Sequence, residues 1–496
     1  MISSESGGVD GSDASALDTA RARVSYNVST RLVGRGAGAL ITLVALRLTT
    51  HYFGPAQWGD IVAASAFANL FVGLCDFGVT RIVSREIAAK GSDESAVYGA
   101  GLIGGMLVSI ASMAVMTAGA LLVYMHRPDL RSLTLILVLS LPPNAFWVIS
   151  GAVLIAKARN DIRGVIDAVS SKFLLAAAGS TVAAALAASD YLWLTVLADA
   201  ATAVLGLALA RRHLRADFRS GARRTRGILG KAAAIGTSQA LYSMAVQTDV
   251  VLLSLFASAS KLGEFGVAFQ IAIFGAALPP ILTAAILPKF VDAPRQRQQR
   301  LVQRAFDALI LAAAAVPLLA LLFGKGVIIA IAGRNFTGGT TPLVLLSCFA
   351  ALAFPGTLFL DGLVYVRSER GVLRTIVMGS AANLVAAAVA IPLFGADAAA
   401  LVMTTGNAVI LASGAVLFRR ASGLRISLRR SASFLAVAAL LAGTSTALHL
   451  LDRIDASTGW LMLPEVAAVI IAYLGLSSVI GMTSLIRNGG DRLAGH

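Results

Sequence analysis

The chain has 496 residues, 57% of them hydrophobic and only 14% charged, with a formal net charge of +15. Its mean hydropathy of +0.80 excludes a string of ordinary soluble domains, and apolar runs of about 20 residues, the length of a membrane-spanning helix, recur almost throughout. The positive charge does not argue for nucleic acid as a partner, because Lys and Arg cluster in the breaks between apolar runs, the pattern that orients helices and meets anionic lipid.

Residues 1–23 are rich in Ser, Gly and Asp and read as a disordered tail. They lack the basic region and apolar run of a signal peptide. Fourteen apolar segments follow, at 30–50, 60–80, 97–124, 132–156, 164–188, 191–210, 232–257, 264–287, 305–332, 341–365, 372–394, 397–418, 432–450 and 461–486. This is an all-α, polytopic integral membrane protein. Its first two helices set the plan. Gly54-Pro55 ends the first, because proline supplies no N–H and glycine takes turn dihedrals at little cost. The second carries Asp76 and leaves through Arg81 and Arg85. The breaks at 189–190 and 395–396 are so short that the helices they join must form tight hairpins.

Orientation follows from the cations. With the N-terminus in the cytoplasm, 33 of the 41 Lys and Arg residues fall in cytoplasmic pieces or the segment ends beside them and six on the outer side, with Arg47 and Lys172 set apart as lying inside segments. That bias places both termini inside. The most basic stretch, 211–231, separates two six-helix lobes at 24–210 and 232–420, and leaves two additional helices and a tail in 421–496. It reads as a positive-inside loop, with contact to anionic lipid or a partner as the other reading. An internal echo supports the two lobes. FGPAQWGDIVAASAF at 53–67 lies over SKLGEFGVAFQIAIF at 260–274, setting Trp58-Gly59 against Phe265-Gly266. Both turns follow the first helix of their half on the same side, so the halves are parallel, related by an axis along the membrane normal.

Several residues stand out as cavity candidates. Arg47, deep in the first helix, either counters the phosphates of a lipid carrier or snorkels toward the interface near His51. Asn69 and Asp76 are seven residues apart and share a helix face. Gln239, Tyr242 and Asp249 form a polar stripe on the seventh helix, suited to ion coupling, a sugar hydroxyl or an interhelical hydrogen bond. Lys172 meets phosphate or pairs with Asp167 or Asp199. Asp361 lies one turn before Tyr365, and Asn383 and Asn407 are weaker polar marks. Cys75 and Cys348 sit in apolar runs as small core residues, and the five histidines lack metal-ligand spacing. The sequence carries no G-x-S-x-G, Walker loop or H-E-x-x-H, so neither a cofactor nor an enzymatic reaction is expected.

Arg47 with the FGPAQWG turn, Asp76-Phe77-Gly78 followed by Arg81 and Arg85-Glu86-Ile87-Ala88, then Gln247-Thr248-Asp249, Gly263-Glu264-Phe265-Gly266 and Pro288 carry a resemblance. The chain resembles the lipid-linked oligosaccharide flippases of O-antigen type, within the multidrug/oligosaccharidyl-lipid/polysaccharide exporter superfamily, over nearly all of its length after residue 24. The resemblance implies two six-helix lobes forming a V, with a central cavity open to one side at a time. It implies a flippase carrying a polyprenyl-(pyro)phosphate-linked oligosaccharide outward across the bacterial cytoplasmic membrane, with membrane lipids, a glycan polymerase and glycosyltransferases as partners. The drive would be the membrane potential, or H+ or Na+ through Asp249. Two other readings stay open: a drug/cation antiporter of the same superfamily, and a non-transporting scaffold for glycan assembly.

Overall fold

A computed structural model describes the backbone of residues 11–89, 93–157, 160–276, 294–366, 368–428, 431–441 and 469–477, with 279, 283 and 466. Side chains are described for these residues except 11–37, 160–168, 170–172, 234–235, 238–239 and 369. The described residues are overwhelmingly helical. Eight helical stretches among them are long and apolar enough to cross a membrane, and shorter apolar helices lie at Phe173–Ala183, Ala240–Phe256 and Ser431–Leu441.

The first helix, α1 (Gly11–Asp76), is two helices joined at a single residue, Gly54, whose φ of 69° and ψ of 179° are non-helical. The expected turn at 51–59 therefore shrinks to one glycine, because Pro55 starts a helix as readily as it ends one. The helix also begins at Gly11, so residues 11–23, expected as a disordered tail, are helical. Their alanines, leucine and arginines are good helix formers. Phe77 and Gly78, with φ of 38° and 72°, turn the chain into α2 (Val79–Ala88).

Next come α3 (Glu94–Val123), capped by the Asp93 carboxylate on the Ala96 N–H, and α4 (Pro128–Leu137). A 3-10 turn at Val138–Ser140 leads to α5 (Leu141–Ala156), so the expected span 132–156 is interrupted before Pro142 and Pro143. Helices α6 (Asn160–Ala183) and α7 (Ala188–His213) form the expected hairpin. The break falls at 184–187 rather than 189–190, where Ala185 has a φ of 50° and Asp190 accepts from the Ala187 N–H at 3.2 Å.

Helix α8 (Phe218–Phe256) begins fourteen residues before the expected span. The basic stretch 211–231 is therefore mostly helix, broken only at 214–217. Asp217 caps α8, accepting from the N–H groups of Arg219 and Ser220 at 2.9 and 3.2 Å. Helices α9 (Ala259–Ala276), α10 (Arg295–Ala332), α11 (Thr340–Tyr365), α12 (Glu369–Phe394), α13 (Ala396–Ser422) and α14 (Ser431–Leu441) follow.

Packing joins the two halves of the chain along one seam. The largest buried apolar cluster draws on α1 and α3 to α7 from the first half and on α8 to α13 from the second. Smaller clusters sit apart, one around α2, α3 and α5 and one around α10, α11 and α13. A fourth sets α10 against α14 and Tyr473, whose hydroxyl donates to the Leu311 carbonyl at 2.9 Å. In an apolar solvent these contacts are decided by shape and by interhelical hydrogen bonds rather than by water exclusion.

Candidate functional site

The helix termini gather at two ends of the molecule. At the turn end, which carries Gly54, the second half of α1 crosses α9 with backbones in contact. A Cβ on Gly59 would lie 1.8 Å from the Ala259 carbonyl oxygen, and one on Gly263 would lie 2.0 Å from that of Pro55. Only glycine allows two helices to approach so closely. The echo in the sequence aligned Gly59 with Gly266, yet the residue that Gly59 meets is Gly263, and Gly266 packs on Val62. Further contacts seal this end. The Tyr124 hydroxyl and Ser254 Oγ are 3.1 Å apart, and Arg127 Nη1 donates to the Ser254 carbonyl at 2.5 Å. Arg47 belongs here: its Nη1 donates to the Ala330 carbonyl near the end of α10, so its side chain bridges the two halves. His51 Nδ1 lies 2.9 Å from the Arg47 carbonyl.

At the basic end, Asp76 Oδ1 accepts from the Thr80 N–H at 3.1 Å, which ties α1 to α2 across the Phe77-Gly78 break. The Phe77 carbonyl oxygen comes within 2.3 Å of where a Cβ on Gly236 would stand, so α8 runs directly under that turn. Lys231 and Glu86 pair at 2.5 Å, and Lys157 and Glu94 pair at the same distance. Asp361 accepts from Thr283 Oγ1 at 2.7 Å and lies within electrostatic reach of Arg81 on α2.

Between the ends, on the second half of the chain, Asp249 is 0% exposed. Both its oxygens accept from Asn383 Nδ2 on α12, at 2.9 and 3.0 Å, and the same amide reaches the Ala245 carbonyl at 3.2 Å. Beside them is a small cavity of about 20 Å³ lined by Tyr242, Ser380, Asn383 and Asn407 among others. Asn407 donates to the Phe349 carbonyl at 3.1 Å. A space of that size holds about one water or a bare small cation. A buried carboxylate with a single neutral amide for company carries either a proton or a counter-cation, because isolated charge in a low-dielectric interior is costly. Among the described residues no cation lies within ion-pair distance of Asp249.

The structure thus brings Tyr242 and Asp249 together and adds Asn383 and Asn407, which the sequence marked only as isolated polar residues. Arg47, Asp76 and Asp361 are not part of this cluster: Arg47 is engaged at the turn end, and Asp76 and Asp361 at the basic end, Asp76 on the Thr80 N–H and Asp361 near the adjacent Arg81. Asn69 is exposed. The side chains of Lys172 and Gln239 lie outside the described residues.

Comparison with known proteins bears on this architecture. The sequence model of a family described as polysaccharide biosynthesis protein matches residues 24–293. No curated protein matches the chain. Among solved structures, lipid II flippase MurJ in an inward closed conformation is similar over 92% of this chain and 99% of its own, at 10% identity and a TM-score of 0.77. An outward-facing multidrug resistance MATE family transporter of the MOP superfamily is similar over 81% of this chain and 95% of its own, at 14% identity and a TM-score of 0.57. The Vibrio cholerae MATE transporter VcmN, in its bent form, is similar over 81% and 98%, at 14% identity and a TM-score of 0.53. At such identities the likeness is one of fold.

Proposed function

The chain belongs to the polysaccharide biosynthesis protein family, and from that premise we propose that this multi-pass membrane protein is a flippase for a polyprenyl-(pyro)phosphate-linked oligosaccharide. It would carry its cargo from the cytoplasmic to the outer leaflet of the bacterial cytoplasmic membrane by alternating access. The observation that carries the reading is the glycine crossing of α1 and α9: one end of the seam between the halves is closed by a narrow contact that rocking of two lobes would open. The lobes would be 24–210 and 232–420, with the residues after 421 as an addition. The positive-inside bias supports a cytoplasmic basic end, cytoplasmic termini and an outward-facing turn end.

On this reading Arg47 is held by the Ala330 carbonyl while the outer end is closed. Separation of the lobes frees its guanidinium, whose planar fork matches phosphate. Two negative charges leaving an inside-negative cell gain about 4–5 kcal/mol at 100 mV, from roughly 2.3 per charge. Asp249 and its cavity supply a second source of drive, by taking a proton or Na+. Membrane lipids surround the cargo's tail, and glycosyltransferases and a polymerase would act before and after transport.

The test is reconstitution in liposomes with a labelled polyprenyl-pyrophosphate oligosaccharide, scoring headgroup exposure to an impermeant reagent. The expected result is protein-dependent exposure, lost with Arg47→Ala; unchanged exposure would remove Arg47 from the mechanism. A drug/cation antiporter is the second reading, favoured by the likeness to MATE transporters and the buried acid at Asp249. Cation-dye efflux without lipid exposure in the same liposomes would establish it instead.

A further inference from the structure

At the basic end, away from the seam, the segment after α13 is strapped to the start of α10 by side-chain amides. Gln299 accepts from the Arg425 N–H at 3.1 Å and donates to the Arg425 carbonyl. Gln303, one turn on, accepts from the Ser427 N–H at 2.8 Å and donates to the Ser427 carbonyl at 2.9 Å. Asp307, a further turn along, accepts from Gln303 Nε2 at 2.9 Å and from Ser431 Oγ at 3.3 Å. Three residues at intervals of four thus line one helix face: Gln299 and Gln303 hold alternate residues of an extended strap, much as a neighbouring strand would, and Asp307 holds Ser431 at the start of α14.

The strap walls an open surface groove of about 430 Å³ lined by Arg295, Gln296, Gln299, Arg300, Gly423 and Leu424, with Arg295, Gln296 and Arg300 exposed. The lining contains two guanidinium groups and two amides but no carboxylate. Among the described residues neither Arg295 nor Arg300 has an acid within ion-pair distance. Arg295 Nη2 lies 2.6 Å from where a Cβ on residue 423 would stand, and Gly423 has a φ of 70°. A side chain there would push the guanidinium aside, so glycine keeps Arg295 over the groove.

We propose that this groove is a binding site for a phosphate-bearing anion, held by Arg295 and Arg300 with amide hydrogen bonds from Gln296. Guanidinium groups recognise phosphoryl oxygens bidentately. The charge can come from an anionic lipid headgroup or from a soluble phosphorylated compound. Arg300 precedes residue 305, where the apolar span of α10 begins, by five residues, or about 7.5 Å of helix. The headgroup layer is roughly 5–7 Å deep on each side, so the site stands at its water-facing edge, within reach of a headgroup or of a soluble ligand. The site is independent of the flippase reading.

The test uses the full chain in phosphatidylcholine nanodiscs, titrated with inorganic pyrophosphate at low salt by calorimetry. Binding is expected, with Kd raised about tenfold or more in Arg295→Gln/Arg300→Gln and raised also in Gly423→Val. The control, Arg223→Gln/Arg224→Gln, removes the same charge from exposed positions on α8 and should leave Kd within about twofold. Repeating the titration in nanodiscs containing phosphatidylglycerol assigns the source: competition supports a headgroup site, and its absence supports a soluble ligand. No binding to pyrophosphate or phosphatidylglycerol, or equal loss in both double variants, would overturn the proposal.

Discussion

The glycine crossing makes a sharp mechanical prediction. In Gly59→Ala the new Cβ would sit 1.8 Å from the Ala259 carbonyl oxygen, where real contacts essentially never fall below 3.0 Å. Neither atom is the tip of a flexible side chain, so the helices must part by more than an ångström. Gly263→Ala repeats the clash from the other side, at 2.0 Å from the Pro55 oxygen. Overpacking of this kind costs about 1–3 kcal/mol. If the cost falls on the closed arrangement of the turn end and not on the open one, it shifts the population between them by roughly 5- to 150-fold. Because both substitutions act on one interface, the double variant should show less than the sum of the two. The assay is a distance distribution between spin labels at the exposed positions Gln57 and Lys261, in a background with Cys75 and Cys348 replaced. The longer-distance population should grow in either variant, and transport should slow because closure has become the costly step. Unchanged distances together with unchanged transport would refute the idea that this contact is what holds the end shut.

Three further outcomes follow from the polar contacts. Asp249→Asn keeps an oxygen to accept from Asn383 but cannot carry the charge; transport should lose any dependence on a Na+ or proton gradient while the protein stays folded, checked by flux in imposed gradients. Asn383→Ala removes the amide that donates to both Asp249 oxygens and should destabilise by about 1–3 kcal/mol, read as a lower Tm in detergent, with Asn383→Asp as a comparison. At the α8 cap, hydrogen bonding by Ser220, through its hydroxyl and its N–H, and then by the Arg219 N–H, holds the Asp217 carboxyl below its ordinary value of 3.8. A carboxyl lowered in this way contributes stability above its ordinary value and loses it as pH falls through the lowered one. Amide protection factors in the first turn of α8, taken against the intrinsic exchange rate at each pH, should therefore fall below about pH 4, and in Asp217→Ala they should be low at every pH.

Much of this protein was legible before any coordinates. Lipid offers the backbone no hydrogen bonds, so each apolar run must be a helix, and hydropathy alone finds it; the spans read as 341–365 and 397–418 stand as Thr340–Tyr365 and Ala396–Ser422. The family resemblance, carried by Arg47, Asp76 and the residues around Asp249, was also visible in the chain. Hydropathy failed where the chain leaves lipid. Arg219 to Lys231 read as a loop because they are charged, but exposed arginines and lysines are good helix formers, and Asp217 starts the helix that contains them. The site depended on tertiary structure for a different reason. Asp249 and Asn383 are 134 residues apart, and no helical period links residues on different helices. Gly59 meets Gly263 rather than its counterpart in the echo, and Arg47 finds a carbonyl 283 residues away. Between helices in a membrane, water exclusion no longer selects the partner face; backbone clearance and single hydrogen bonds do, and those are settled only when the helices stand side by side.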